Sequence, residues 1–388
     1  MFLSYEGKQG LSEIENKIKE AKNSECKINN LENENIFING DNFIGMSNLL
    51  EEFEGTIDLV YIDPPFNTNG KFYFSEDERA TISVSKDNDI AYNDDMEFSH
   101  YMEFIRSRLI LIHKLLSNKG TLYFHIDCKV GHYIKIICDE IFGQENFIND
   151  IARVKSNPKN FNRKAFGNER DMVLVYSKKP KNNIFNNITV PLDESDIERL
   201  FPKIDSNGRR YTTVPCHAPG ETKNGPTGSE WKGQLPPKGR HWRCNPDELT
   251  KMDEDGLIEW SKNNNPRIKK FSDEHKGKKI QDVWTKYKDP QYPKYPTEKN
   301  KEMLEMIIKQ SSNKESIVMD CFAGSGSTLI AADNLERRWI GIDRSSASVS
   351  VIKKRFRDTA YRYIEIDEKG TKNEENITPE AEQLKVKI

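Results

Sequence analysis

The sequence predicts an α/β protein with a doubly wound, mostly parallel sheet, interrupted by one irregular, basic insertion. Three observations carry this. Short apolar runs alternate with amphipathic segments over residues 35–180 and again over 296–365, the pattern of successive βαβ units. Residues 181–295 between them lose both periods and fill with Pro, Gly, Lys and Trp. Near the C-terminus, Gly324 and Gly326 separate an apolar run from a helical pattern, as a tight strand-to-helix turn requires.

Residues 1–34 are polar with a weak helical period and read as an N-terminal helix or arm. Strands are expected at 35–38, 57–62, 121–126, 147–154 and 172–177, with helices at 42–53, 98–116 and 129–142. The last of these helices places Ile134, Ile137, Cys138 and Ile141 on one face. After the insertion the pattern gives a helix at 298–308, a strand at 316–319, a helix at 327–334, a strand at 339–342 and a helix at 346–356. Residues 366–388 are acidic and polar and read as a mobile tail.

The chain has 388 residues, 35% hydrophobic and 31% charged, with no apolar run of membrane-spanning length and no signal-peptide pattern at its start. Its six cysteines form no CxxC pair, which suits reduced thiols and a cytoplasmic protein. The net charge of -3 hides a division. Residues 1–150 hold 14 Lys and Arg against 27 Asp and Glu, whereas residues 201–300 hold 20 against 14. A polyanion would be repelled by the first stretch and drawn to the second.

Two motifs carry chemistry. In "YIDPPF" an apolar strand ends on Asp63, and Pro64 and Pro65 stiffen the chain while removing two N–H donors before Phe66. Such a bracket presents acceptors and an aromatic face to a ligand. In "IVMDCFAGSGSTLIAADNLERRWIGID" a strand, a glycine turn, a helix and a second strand end on Asp343, where a carboxylate can accept ribose hydroxyls. The third glycine of a dinucleotide site is missing and no Gly-Lys-Ser/Thr follows, so a nucleoside without pyrophosphate fits, pointing to S-adenosylmethionine. Cys216-His217 with His241 and Cys244 is poor chelate geometry, and no metal is expected.

With "NGDNFIGMSNLL", "AYND", "FIRSRLILIHKLLSNKGTLYFHID" and "YPTEKN" added in their order, the chain resembles the β class of DNA amino-methyltransferases. That class includes restriction–modification enzymes and the modification subunits of type III systems. The resemblance implies a circularly permuted, Rossmann-like methyltransferase fold in which 181–295 is a target-recognition insertion. It implies methyl transfer from S-adenosylmethionine to adenine N6 of a flipped base in duplex DNA, with N4-cytosine, RNA or protein amino groups as alternatives. Carried over by residue, it places Asp41, Asp320, Phe322, Gly324, Gly326 and Asp343 about the cofactor, Thr297 and Lys299 at its methionine end, and Asp63, Pro64, Pro65 and Phe66 about the target base. Arg209, Arg210, Lys238, Arg240, Trp242, Arg243, Arg267, Lys269 and Lys270 become the expected DNA surface of the insertion. A homodimer and a cognate restriction enzyme are allowed as partners, and no membrane is expected. Two departures stand out: Cys321 follows Asp320 where the family has proline, and Asn300 replaces the last proline of the Pro-Thr-x-Lys-Pro motif.

Overall fold

The computed structural model describes residues 2–22, 34–65, 71–73, 90–93, 97–155, 164, 166–289, 299–367 and 372–379. They form two compact units: Met1–Asn187 with Gln281–Ile388, and Ile188–Ile280. The expected bracket residue Phe66 and the expected cofactor residue Thr297 lie outside the described residues.

The first unit is built on one ten-stranded sheet. In chain order its strands are β1 (Ile36–Asn39), β2 (Ile57–Ile62), β3 (Leu116–Ile126), β4 (Phe147–Val154), β5 (Arg170–Ser177), β6 (Val283–Trp284), β7 (Ile317–Asp320), β8 (Arg338–Asp343), β9 (Tyr361–Ile366) and β10 (Lys372–Ile377). Their spatial order is β6-β4-β5-β3-β2-β7-β8-β1-β9-β10. The six central strands, from β3 to β9, run parallel, while β5 and β10 pair antiparallel to their neighbours. Apolar runs such as Ile57–Ile62 are buried on both faces, which explains why they read as continuous and not alternating.

Among the described residues seven helices accompany the sheet: α1 (Leu11–Lys22), α2 (Asn42–Phe53), α3 (Phe98–Leu115), α4 (Cys128–Phe142), α5 (Lys301–Ser311), α6 (Ser327–Asn334) and α7 (Ser346–Arg355). From β2 the chain crosses by α3 to β3, and from β7 it crosses by α6 to β8, in opposite directions along the sheet. Right-handed crossovers put these two helices on opposite faces. Accordingly α1, α2, α3 and α4 pack in series, and α5 packs on α6. Helix α1 buries Ile14 and Ile18, one turn apart, in the main core.

Two sequence expectations change. Helix α5 begins at Lys301, later than expected, because Asn300 caps it by accepting the Met303 N–H at 2.9 Å. The departure from proline thus supplies a helix cap. The tail expected over 366–388 is corrected at 372–377: Lys372–Ile377 pairs along the whole of β9 as an edge strand. Its polar sequence gives no apolar alternation to read, since its place rests on backbone pairing.

The second unit contains a four-stranded sheet of Lys203–Ile204, Arg210–Pro215, Ile258–Trp260 and Pro266–Phe271, and a hairpin of His217–Pro219 with Arg240–Trp242. Its core holds Cys216, Trp231, Trp242, Leu249, Ile258 and Ile268.

Candidate active site

Strands β2 and β7 are hydrogen-bonded neighbours from which the chain winds away in opposite directions, so the crevice beyond their carboxyl ends is the topological switch point of the sheet. Ligands of open α/β sheets bind at such a point. Asp63 leaves β2 there, and Asp320 ends β7 there. One carboxylate oxygen of Asp63, Oδ2, lies 2.6 Å from Lys299 Nζ. The other, Oδ1, is buried and has no hydrogen-bond partner among the described residues. A buried acceptor in that state calls for a further donor.

The glycine loop after β7 is tied down from both sides. Asp320 Oδ1 accepts the Phe322 N–H at 3.0 Å, and Asp343 Oδ2 accepts the Gly324 N–H at 2.8 Å. Asp343 Oδ1 accepts the Ser345 N–H at 2.9 Å, so this carboxylate joins the loop to the end of β8, with Ser348 adding a side-chain hydrogen bond. Gly326 starts α6 with φ +76°, a left-handed conformation, and a Cβ there would lie 2.2 Å from Ile352 Cδ1. Burial pushes the Asp320 carboxyl up to about 7, against hydrogen bonds from Thr328 and Phe322 N–H; the Asp63 charge pushes it the same way. Burial also raises Asp343.

Asp41 caps α2 by accepting the Phe43 and Ile44 N–H groups, and its Oδ2 pairs with Arg108 at 3.1 Å. The Arg108 guanidinium lies 4.0 Å from the centre of the Phe104 ring, which meets Phe322 edge-on at 6.1 Å. Asn42 accepts from Arg108 Nε and donates to the Cys321 carbonyl, each at 2.9 Å. Asp41 and the glycine loop are therefore brought together through Asn42, Phe104 and Arg108, three residues that the sequence reading did not single out. The signal available was an arginine placed among the apolar residues of the helix.

A second missed group lies behind Asp63. His125 on β3 is fully buried, with Nδ1 2.8 Å from Tyr61 Oη and 3.8 Å from Asp63 Oδ1, and Nε2 3.2 Å from Asp171 Oδ2 on β5. Lys155 donates to Asp171 Oδ1 at 2.7 Å. Arg153, fully buried, pairs with Asp289 and donates to the Tyr287 carbonyl.

In the second unit one expected DNA-surface residue is corrected. Trp242 is 1% exposed, meets Trp231 edge-on at 5.9 Å and donates Nε1–H to the Ser229 carbonyl at 2.8 Å; it is core. Arg209 stacks on Phe271 and is paired with Asp273 and Glu274, and Arg210 lies 3.6 Å from Glu198. Lys238, Arg240, Arg243 and Lys270 are exposed, and Lys269 lies 5.3 Å from the Tyr211 ring centre. Arg243 Nε donates to the Pro215 carbonyl at 2.9 Å and Arg267 Nε to Thr213 Oγ1 at 2.8 Å. These bonds orient two guanidinium groups by one edge.

A DNA methylase profile, N6_N4_Mtase, matches residues 57–354. The chain is 41% identical over 330 residues to the type II methyltransferase M.EcaI of Enterobacter cloacae, covering 83% of this chain and 69% of that protein. It is 24% identical to the type III restriction-modification enzyme StyLTI Mod subunit of Salmonella typhimurium, over 84% of this chain and 55% of that one. Of solved structures, the M1.HpyAVI-SAM complex aligns over 82% of this chain and 99% of its own, with 19% identity and a TM-score of 0.42. No helix among the described residues is long and apolar enough to cross a membrane. The residues at the switch point suit an S-adenosyl group: Asp343 has lone pairs for a ribose diol, and Asp63 and Asp320 place carboxylates where a sulfonium cation would be favoured. The chain belongs to the N6/N4 DNA methylase family, whose members methylate DNA with S-adenosylmethionine.

Proposed function

We propose that the chain methylates N6 of adenine at a specific site in duplex DNA. The observation that carries this reading is Asp63 Oδ1, a buried acceptor without a donor among the described residues, at the switch point of the sheet. An exocyclic amino group is a weak nucleophile because its lone pair is delocalised into the ring. Asp63 Oδ1 and the Pro64 carbonyl would accept its two N–H bonds and draw the lone pair out of the ring, with Phe66 stacked on the flipped base. Lys299 holds the far oxygen of Asp63, so the carboxylate is oriented before the base arrives. Bound S-adenosylmethionine supplies an electrophilic methyl group. Asp320 and Asp343 would hold the site around it, Gly324 and Gly326 would let the loop approach it closely, Asp41 would face the adenine, and Thr297 with Lys299 the methionine end.

Adenine is favoured over cytosine by the residue that opens the bracket. Asp-Pro-Pro resembles the adenine form of these enzymes, and a carboxylate makes a charge-assisted bond roughly twice as strong as a neutral acceptor would. Recognition is assigned to the second unit, where Lys238, Arg240, Arg243, Arg267, Lys269 and Lys270 offer basic groups to phosphates and base edges. The test is labelled methyl transfer to duplex DNA, RNA and protein in parallel, followed by nucleoside mass spectrometry. N6-methyladenine in DNA is expected; N4-methylcytosine without it would overturn the choice of base.

A further inference from the structure

The buried groups behind Asp63 fix where protons sit, and this follows from their bonds. Asp171 receives hydrogen bonds from Lys155 and from His125, with Arg153 Nη1 3.8 Å away. Burial would raise its carboxyl, but these partners outweigh burial and hold it below its ordinary range, so it accepts only. His125 Nε2 must therefore carry a hydrogen. Burial drives the ring neutral against the pull of Asp63 and Asp171, which leaves Nδ1 as a lone pair. Tyr61, also fully buried, stays un-ionised and donates its O–H to that lone pair. Nδ1 lies 3.8 Å from Asp63 Oδ1 and has no hydrogen to give it.

We propose that Asp171 is a positioning residue that locks His125 in the Nε2–H tautomer, so that Asp63 Oδ1 stays free to accept the amino N–H of the target base. The proposal rests on the reading of Asp63 as that acceptor. In the opposite tautomer the Nδ1–H would be bonded to Tyr61 Oη at 2.8 Å, and its partial positive charge, in place of a lone pair, would lie 3.8 Å from Oδ1 and weaken that oxygen as an acceptor for the substrate.

Asp171→Asn tests the lock in the full chain. Lys155 keeps the amide oxygen, the NH2 faces Nε2 and donates to it, and the ring hydrogen moves to Nδ1. Cofactor affinity and KM for duplex DNA are expected to stay near wild type while the single-turnover rate falls by about 100-fold or more, within the range seen when an orienting carboxylate is made neutral elsewhere. Tyr61→Phe leaves the tautomer unchanged and is expected to keep the rate within about threefold, an outcome that a merely structural network would not give. Wild-type rates in Asp171→Asn would overturn the proposal. So would nitrogen-15 resonances of the unmodified protein showing hydrogen on Nδ1 of His125, a measurement that needs no variant to fold. The underlying reading fails separately: full turnover by Asp63→Ala would remove the acceptor role whatever the tautomer of His125.

Discussion

Asp320→Asn should make the protein more stable, and more so as pH rises. The folded state holds this carboxyl at about 7 against an ordinary value of 3.8, chiefly because it is buried. A raised carboxyl means that between pH 4 and 7 the folded chain binds more protons than the unfolded chain, so stability falls as pH rises through that window. Above pH 7 both states are ionised and the cost is complete. A gap of about 3 on the pH scale corresponds to an upper value of about 4 kcal/mol. Asparagine keeps an oxygen for the Phe322 N–H, so the loop bond at 3.0 Å can survive the change. Urea unfolding of both proteins at pH 5, 6, 7 and 8 measures the difference. It should already be more than a third of its full size at pH 5, grow through pH 6 and 7, and level off by pH 8. Other carboxylates titrate in both proteins and cancel. A difference that does not vary with pH would refute the burial argument. If S-adenosylmethionine binds beside Asp320, its positive charge favours the ionised form, and calorimetry should then find tighter binding at pH 8 than at pH 6.

Gly326→Val should cost about 1–2 kcal/mol for its left-handed backbone and about 1–3 kcal/mol for the clash with Ile352, and weaken S-adenosylmethionine binding; calorimetry finding unchanged affinity would count against the loop assignment. Trp242→Ala should destabilise the second unit by about 3–5 kcal/mol, whereas Arg243→Ala should change stability by no more than about 0.5 kcal/mol, read from thermal unfolding. Arg240→Ala and Arg243→Ala should each lower the salt dependence of DNA binding by about one ion and loosen the methylated motif; an unaltered motif and salt slope in the double variant would move recognition elsewhere.

Legibility in the sequence followed burial. Ile57–Ile62 and Ile317–Asp320 read as strands because both faces are covered and almost every side chain is apolar. Asp63, the glycine loop and Asp343 were legible because each sits at a strand end, where proline, glycine or a lone acid breaks the apolar run. Tyr361–Ile366 was missed because Arg362 and Glu365 interrupt its apolar residues without a strict alternation, Tyr363 and Ile364 being buried side by side. Trp242 was misread because arginines on both sides suggest a wet surface, while the hairpin turns the indole beneath Trp231. The His125 group could not be read at all. Tyr61, His125 and Asp171 meet only through the parallel register of β2 with β3 and the antiparallel register of β3 with β5.

The charges at the switch point limit how DNA can engage this chain. Asp41 and Asp63 are paired with Arg108 and Lys299, while Asp320 and Asp343 are held by N–H donors without adding positive charge. A crevice of that composition favours a sulfonium and a ribose, and it repels phosphate. Backbone affinity for a duplex therefore has to come from outside the crevice, and the stretch that supplies an excess of positive charge is the one that holds Arg240, Arg243 and Arg267. Only an uncharged base can then enter without electrostatic penalty. If Asp63 is the acceptor proposed for the amino group, that entry becomes a selection, because a base lacking an amino group would leave its buried oxygen, which has no donor among the described residues, unsatisfied at a cost of about 1–3 kcal/mol or more. Thymine and guanine stand on opposite sides of that selection: thymine has no amino group, and guanine carries its own on the other edge of the ring, so neither would answer Asp63 in the pose proposed for adenine.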